Sequence, residues 1–322
     1  MSFEIYNEDI ISWIERYKGP LFHSLLCDPP YNLDTVRKRF GNPASVPAQF
    51  GRDGSFQRLS SGFLGQDWDT SIASSPGLWY NLGTLLHPGA ICFSYTHART
   101  YHRIASAIEA AGFIIYPMIG WITGQGFPHP TKLVEYEGYY YNRNALKGAL
   151  EPICVFQKPY EGSLKDSILQ TGAGAFWIDG ARISTDEIIP INVLEGWSGF
   201  GELVRPAYTP TKNYKGRWPS NVIVDKGIGQ PYERFFFVSK PNSKEKSYGK
   251  HPTQKPITMN EHLARMILPP AEFKNRRLLN PFSGSGSEMI GALNAGWDEV
   301  VGIESNQDYY KLAEDRLNGL GN

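Results

Sequence analysis

The sequence predicts an α/β fold built on a mostly parallel sheet, and three observations carry that expectation. Short apolar runs of strand character alternate with segments whose apolar residues recur at helical spacing. One such alternation, between Arg277 and Glu304, is complete: strand, glycine turn, helix, strand. The 322 residues, 41% hydrophobic and 20% charged, suffice for one large domain or one domain with a sizeable insertion.

The first strand is the apolar run from Leu21 to Cys27, which ends at Asp28. A polar stretch rich in Gly, Ser and Gln then runs to about Asp69, and loops of that length tend to be functional. Ala90–Ser94 reads as a buried strand. Arg99–Ala111 reads as a helix with Ile104, Ile108 and Ala111 on one face, and Gly112 is placed to stop it. Phe113–Ile122 and Pro152–Gln157 read as further strands. From Lys158 to about Lys250 the periodicity breaks down into Gly, Pro, Trp and Tyr, with short strand candidates at Val222–Val224 and Phe235–Val238. This stretch reads as an irregular insertion. Order returns after Pro256 with a helix carrying Met259, Leu263, Met266 and Ile267, where Thr258 and Glu261 have capping-box spacing. The last elements are a strand at Arg277–Asn280, a helix at Ser287–Ala295, a strand at Val300–Glu304 and a helix at Gln307–Leu317.

Composition narrows the function classes. Thirty-two basic residues balance thirty-two acidic ones, which excludes a chain coated in positive charge but leaves room for a local basic groove. No apolar run approaches the roughly 20 residues of a membrane span. The acidic start, MSFEIYNEDI, lacks the layout of a secretory signal, so a cytoplasmic protein without membrane contact is expected. Cys27, Cys92 and Cys154 lie far apart in apolar runs, without metal-site spacing, and read as small core residues; no metal is expected.

Two motifs at opposite ends of the chain carry the chemistry. In Phe282-Ser283-Gly284-Ser285-Gly286 the glycines let backbone approach a ligand closely. Glu304, ending the next strand, is placed to accept hydrogen bonds from ribose hydroxyls. A dinucleotide is disfavoured, because Met289 stands where a third glycine would be and Phe282 offers a wall rather than a pyrophosphate cradle. The second motif, Asp28-Pro29-Pro30-Tyr31, would arise by chance in a chain this long with odds of roughly one in a thousand. Its prolines stiffen the loop, fixing a carboxylate, carbonyls and an aromatic ring. That set suits a planar amine such as an exocyclic base amine. Asp28 and the Pro29 carbonyl would accept its N–H groups and free the nitrogen lone pair, while Tyr31 would stack on the base.

With these residues the chain resembles the amino-methylating DNA methyltransferases that use S-adenosylmethionine. The branch it resembles is the β class, in which the Asp-Pro-Pro-Tyr motif precedes the cofactor motif. Three elements match in order: Asp28–Tyr31, His251–Pro256, and Pro281–Gly286 with Glu304 beyond. Looser segments, among them Gly126-Phe127-Pro128 and Glu151-Pro152-Ile153, resemble phage and prophage members. The resemblance implies a Rossmann-like methyltransferase fold with circularly permuted motif order. Residues 1–157 would form its catalytic half, 158–250 a target-recognition insertion and 251–322 the cofactor-binding half.

It further implies that Asp28, Pro29, Pro30 and Tyr31 act in catalysis. Asp28, His251, Thr253, Lys255, Phe282, Ser283, Gly284, Ser285, Gly286 and Glu304 would hold S-adenosylmethionine, with His251–Pro256 on the methionine side. Members usually have Asp where this chain has Asn280. The expected reaction is methyl transfer to adenine N6 in double-stranded DNA after base flipping. Lys212, Tyr214, Lys215, Arg217 and Trp218 of the insertion would meet phosphates and base edges. Cytosine N4 is the alternative target, because the acid form of the tetrapeptide resembles adenine enzymes only imperfectly in this branch. An RNA or protein methyltransferase, or a DNA-binding pseudoenzyme, stands further off. A separate restriction endonuclease is a possible partner, in a bacterial or phage setting.

Overall fold

The computed structural model describes residues 1–31, 72–124, 133–142, 146–185, 216–228, 232–239 and 254–321. The long polar stretch after Tyr31 therefore lies outside the described residues, as do His251, Thr253, Lys212, Tyr214 and Lys215.

In chain order the strands are β1 (Ser2–Asn7), β2 (Ser24–Cys27), β3 (Ile91–Tyr95), β4 (Ile114–Ile122), β5 (Leu133–Tyr136), β6 (Tyr139–Asn142), β7 (Leu150–Gln157), β8 (Val222–Asp225), β9 (Phe237–Ser239), β10 (Arg277–Asn280) and β11 (Glu299–Glu304). The α-helices are α1 (Ile10–Arg16), α2 (Pro76–Thr84), α3 (Tyr101–Ala110), α4 (Leu164–Thr171), α5 (Ile257–Met266), α6 (Ser287–Ala295) and α7 (Gln307–Asn318). Nine strands form one sheet in the order β1-β11-β10-β2-β3-β7-β4-β8-β9, and β5 pairs with β6 alone. Within the nine, β7 is antiparallel to both neighbours and every other pair is parallel. The expected mostly parallel sheet is the one observed.

Alternation along the central strands builds a core on each face. Leu26, Phe93, Leu278 and Val300 point into a layer completed by Met259 and Leu263 of α5 and Met289 and Ile290 of α6. Their neighbours Leu25, Cys27, Cys92, Leu279 and Val301 point the other way, onto Trp13 of α1, Trp79 of α2 and Ile104 of α3. All three cysteines are free and buried in this second layer, as small core residues. Helix α6 lies close to α5 because residue 291 is glycine: a Cβ there would stand 2.5 Å from the Asn260 Cβ.

Three local expectations need correction. Thr258 does not cap α5. The helix begins earlier, at Ile257, with the extended Pro256 (φ −61°, ψ 131°) in the N-cap position. Thr258 Oγ1 is buried without a hydrogen bond, and Glu261 pairs with Arg265. The strand expected at Phe235–Val238 starts later, because Tyr232–Phe235 closes into a 3-10 turn before β9. The region 158–250 is also less irregular than expected, since α4 forms behind a Ser163–Asp166 capping box and β8 and β9 extend the central sheet.

The antiparallel pairing of β7 with both β3 and β4 makes β4 run parallel to β2. The connection leaving β4 therefore departs from the edge where Asp28 stands. It carries the β5–β6 hairpin, on which Tyr136, Tyr139, Tyr140 and Tyr141 are each more than half exposed.

Candidate active site

Parallel neighbours β11, β10 and β2 end along one edge of the sheet, and each end carries a motif residue. Glu304 closes β11, the glycine turn follows β10, and Asp28 follows β2. The two motifs that the chain separates are thus adjacent in space. A side-chain amide adds to the pairing of β10 with β2: Asn280 Nδ2 donates to the Leu26 carbonyl at 2.7 Å.

The glycine turn is held tightly. Ser283 N donates to Ile303 O at 2.9 Å and Gly286 N to Ser283 O at 2.7 Å. Gly284 and Gly286 have φ of 49° and 79°, a region costly for residues bearing a Cβ. Arg316 of α7, buried, binds the Ser285 carbonyl, Ser285 Oγ at 2.9 Å and Ser287 Oγ at 3.2 Å. Glu304 accepts from Gly284 N at 2.7 Å through one oxygen and from Asn306 N at 2.8 Å through the other. Burial raises the Glu304 carboxyl, and those backbone donors oppose the rise. Each oxygen keeps a lone pair for a further donor. The carboxylate thus retains capacity for two further donors, as a ribose diol has; Phe282 is partly buried against the second core layer.

At Asp28 the arrangement differs from a free carboxylate under a stacking ring. The Tyr31 hydroxyl donates to Asp28 Oδ1. Lys255, 4% exposed, donates to the Tyr31 oxygen at 2.9 Å and stands 2.9 Å from Asp28 Oδ2 and 3.6 Å from Glu151. Its ammonium also lies 5.1 Å from the Tyr95 ring centroid. Burial alone would lower the lysine, but Asp28, Tyr31 and Glu151 together hold it well above its ordinary value. Tyr31 is pushed well up by burial and then by Asp28, so it stays a neutral donor.

The sequence expectation put Lys255 on the methionine side of a cofactor. The structure places it on Asp28 and Tyr31. The structure also assembles residues that sequence reasoning missed. Tyr95 Oη donates to Asn260 Oδ1 at 2.5 Å, and Asn260 Nδ2 lies 3.5 Å from Glu288 Oε1. Burial, then the charge of Asp28, raises Glu288 to about 7. Only Glu151 had any signal, as part of its Glu-Pro-Ile segment; Tyr95, Asn260 and Glu288 look like ordinary strand and helix residues until the fold brings them together.

Arg217 and Trp218 are not brought onto Asp28. They precede β8, four places from β2 in the sheet order. Arg217 lies 4.8 Å from the Phe235 ring, and Trp218, 67% exposed, has the Arg182 guanidinium 5.9 Å away. Among the described residues no cluster of three His, Cys, Asp or Glu could hold a metal, and no helix is long and apolar enough to cross a membrane.

A mostly parallel sheet whose adjacent strand ends present a glycine turn and an Asp-Pro-Pro-Tyr loop defines the class: a Rossmann-like methyltransferase fold. Residues 22–315 match the N6/N4 family described as DNA methylase, and the chain belongs to that family. The Type II methyltransferase M2.LlaDCHI of Lactococcus lactis subsp. cremoris is 40% identical over 74 residues, which are 23% of this chain and 26% of that protein. M2.DpnII of Streptococcus pneumoniae is 38% identical over 73 residues, 23% and 25% of the two chains. The matches thus span about a quarter of these relatives. Among solved structures, the M1.HpyAVI–SAM complex superposes with a TM-score of 0.52 at 17% identity, covering 98% of this chain and 99% of that one. The PvuII cytosine-N4-specific DNA methyltransferase gives 0.53 at 14% identity, covering 98% and 86%. At such identities the likeness is one of fold.

Proposed function

We propose that this protein transfers a methyl group from S-adenosylmethionine to the exocyclic N6 amine of adenine in double-stranded DNA. The observation that carries the reading is the placement of Asp28 and the glycine turn on adjacent strand ends, with Glu304 beyond. Bound there, S-adenosylmethionine supplies a methyl group on a positively charged sulfur. Glu304 would accept its ribose hydroxyls, and Phe282 and Ser283–Gly286 would line the place it occupies. The flipped base would meet Asp28, which would accept one amine N–H while the Pro29 carbonyl accepts the other, freeing the lone pair. As the N–C bond formed and the S–C bond broke, S-adenosylhomocysteine would leave and the nitrogen would release one proton to solvent. For this the Tyr31 hydroxyl leaves Asp28 Oδ1 and its ring takes the base face. Lys255 keeps its hold on Oδ2, so the carboxylate stays aimed. Pro30 keeps the loop rigid throughout.

His251 and Thr253, which precede Lys255, complete the cofactor pocket in this reading. Residues 1–157 and 251–322 act as its catalytic and cofactor halves, and 158–250 as the target-recognition part. Lys212, Tyr214, Lys215, Arg217 and Trp218 meet DNA, and the exposed tyrosines of the β5–β6 hairpin add stacking surface on the active-site side. The Type II names of the relatives favour a bacterial or phage cytoplasmic setting with a separate restriction endonuclease as partner.

Cytosine N4 is the second reading, favoured by the cytosine-N4-specific PvuII enzyme among the proteins of like fold. Labelled S-adenosylmethionine and unmethylated DNA, followed by nucleoside mass spectrometry, separate the two. The expected product is N6-methyladenine, absent with Asp28→Ala. Label on cytosine N4 transfers the mechanism to the other base, and no label on DNA despite cofactor binding refutes both.

A further inference from the structure

Glu288 opens α6 directly behind the glycine turn and is 4% exposed. Its charged surroundings come from several elements. Asp28 stands at the end of β2, Glu151 in β7, Lys255 before α5 and Arg316 on α7, with Tyr95 of β3 behind Asn260. For Glu288, its own backbone N–H, Lys255 and Arg316 each favour the ionised form, but both cations act through space rather than in an ion pair. Lys255 is engaged by Asp28, Glu151 and Tyr31, while Arg316 is engaged by Ser285 and Ser287. Among the described residues no ion pair involves Glu288, and its side-chain hydrogen bond to Asn260 is long at 3.5 Å. A buried carboxylate without a directly paired cation is costly, and burial, then Asp28, raises it to about 7 despite those opposing interactions. Such groups gather where a ligand completes the charge balance.

The sheet order says which part of a ligand passes Glu288. A cofactor with its ribose at Glu304, on β11, and its methyl group facing Asp28, on β2, crosses the end of β10 between them. There lie the glycine turn and the start of α6. The sulfur that joins ribose to methyl group then lies across that end, and the amino-acid end, which branches from the sulfur and bears an α-ammonium with three N–H donors, leaves from there.

We propose that Glu288 is a cofactor-binding residue whose carboxylate accepts the α-ammonium of the methionine moiety. The inference rests on the methyl-transfer reading above. It differs from the assignment to Glu304 and the glycine turn in predicting which ligands feel the residue. Asn260, held by Tyr95, is the neutral partner that orients the carboxylate, and the incoming ammonium adds a direct charge contact to the through-space effects of Lys255 and Arg316.

The test is isothermal titration of wild type and Glu288→Gln with S-adenosylmethionine, S-adenosylhomocysteine and methylthioadenosine. The first two carry the ammonium, the second lacks the sulfonium charge, and the third lacks the whole amino-acid end. The expected result is a weakening of about tenfold for both amino-acid ligands and no change for methylthioadenosine. Wild-type affinity for S-adenosylhomocysteine should also fall as pH drops below about 7, where Glu288 takes up a proton, and the glutamine variant should lose that dependence. Loss confined to S-adenosylmethionine would assign the residue to the sulfonium and overturn the proposal. Equal loss for methylthioadenosine, or no loss for any ligand, would also overturn it. Should the variant not fold, a flat wild-type profile between pH 6 and 8 (roughly one unit either side of the titration) counts against the proposal and the expected fall supports it. Wild type binding none of the three would instead refute the methyl-transfer reading itself.

Discussion

Replacing Asn280 by Asp restores the residue usual at this position in the β class, and it should damage this protein. Asn280 is fully buried, and its amide donates to the Leu26 carbonyl at 2.7 Å. The atom that close to a carbonyl has to be a donor, and an ionised aspartate has none. Losing the bond and leaving its partners buried costs about 1–3 kcal/mol. The new carboxylate would face the Leu26 carbonyl in a fully buried place, so its pKa would rise, at about 1.4 kcal/mol per unit. A total of roughly 3–5 kcal/mol at pH 8 follows. The sign with pH is fixed. The folded-state pKa lies above the unfolded value of about 3.9, so the deficit against wild type grows as pH rises from that value and levels off above the folded pKa. Near pH 4 the protonated acid donates to Leu26 and most of the loss is recovered. Urea unfolding of wild type, Asn280→Asp and Asn280→Leu from about pH 4.5 to 8 measures this, with the leucine variant giving a loss of about 1–3 kcal/mol independent of pH. An aspartate variant as stable as wild type at pH 8, or one whose deficit ignores pH, would refute the argument.

Lys255→Met removes the buried ammonium shared by Asp28, Tyr31 and Glu151; methyl transfer should fall by about 100-fold in single-turnover assays. Stability should drop by about 3 kcal/mol in urea, because Asp28 loses its partner. Gly291→Ala places a Cβ 2.5 Å from the Asn260 Cβ and should cost about 1–3 kcal/mol of overpacking, read as a lowered Tm. His23 and His262 are held neutral by burial, each with a folded pKa of about 4. The unfolded chain binds protons first, so stability should fall as pH drops from about 6.5 to about 4, by up to roughly 3 kcal/mol for each residue. Equilibrium unfolding of His23→Gln/His262→Gln should show a flatter slope over that range, and an unchanged slope would discount both histidines.

Much of this fold is written locally. The C-terminal strands and helices lie where apolar spacing puts them, and Gly112 ends α3 with a φ of 93°. β1 and α1 went unrecognised because a short strand alternating with polar residues has little apolar signal of its own; it is stable only beside β11. The Thr258 expectation failed for a related reason, since capping-box spacing is blind to a proline that starts the helix sooner. Asp28, Tyr31 and the glycine turn were legible because rigid backbone and missing Cβ atoms leave marks in sequence. Glu288, Tyr95 and Asn260 were not, because nothing in their local sequence says that β3, α5 and α6 converge.

The sheet order also constrains how the chain is made. β1 and β2 follow each other in sequence, yet β11 and β10 stand between them. As the polypeptide leaves the ribosome, β1 has no neighbour until β11 has emerged, and Asp28 waits on β2 for the Asn280 amide. Contacts of such long sequence separation form slowly. The central strands β3, β4 and β7 can assemble first, leaving an open edge at β2 through most of synthesis. A nascent chain would therefore gain its Asp-Pro-Pro-Tyr loop long before the glycine turn and Glu304, which join it only when β10 and β11 slot in between β1 and β2.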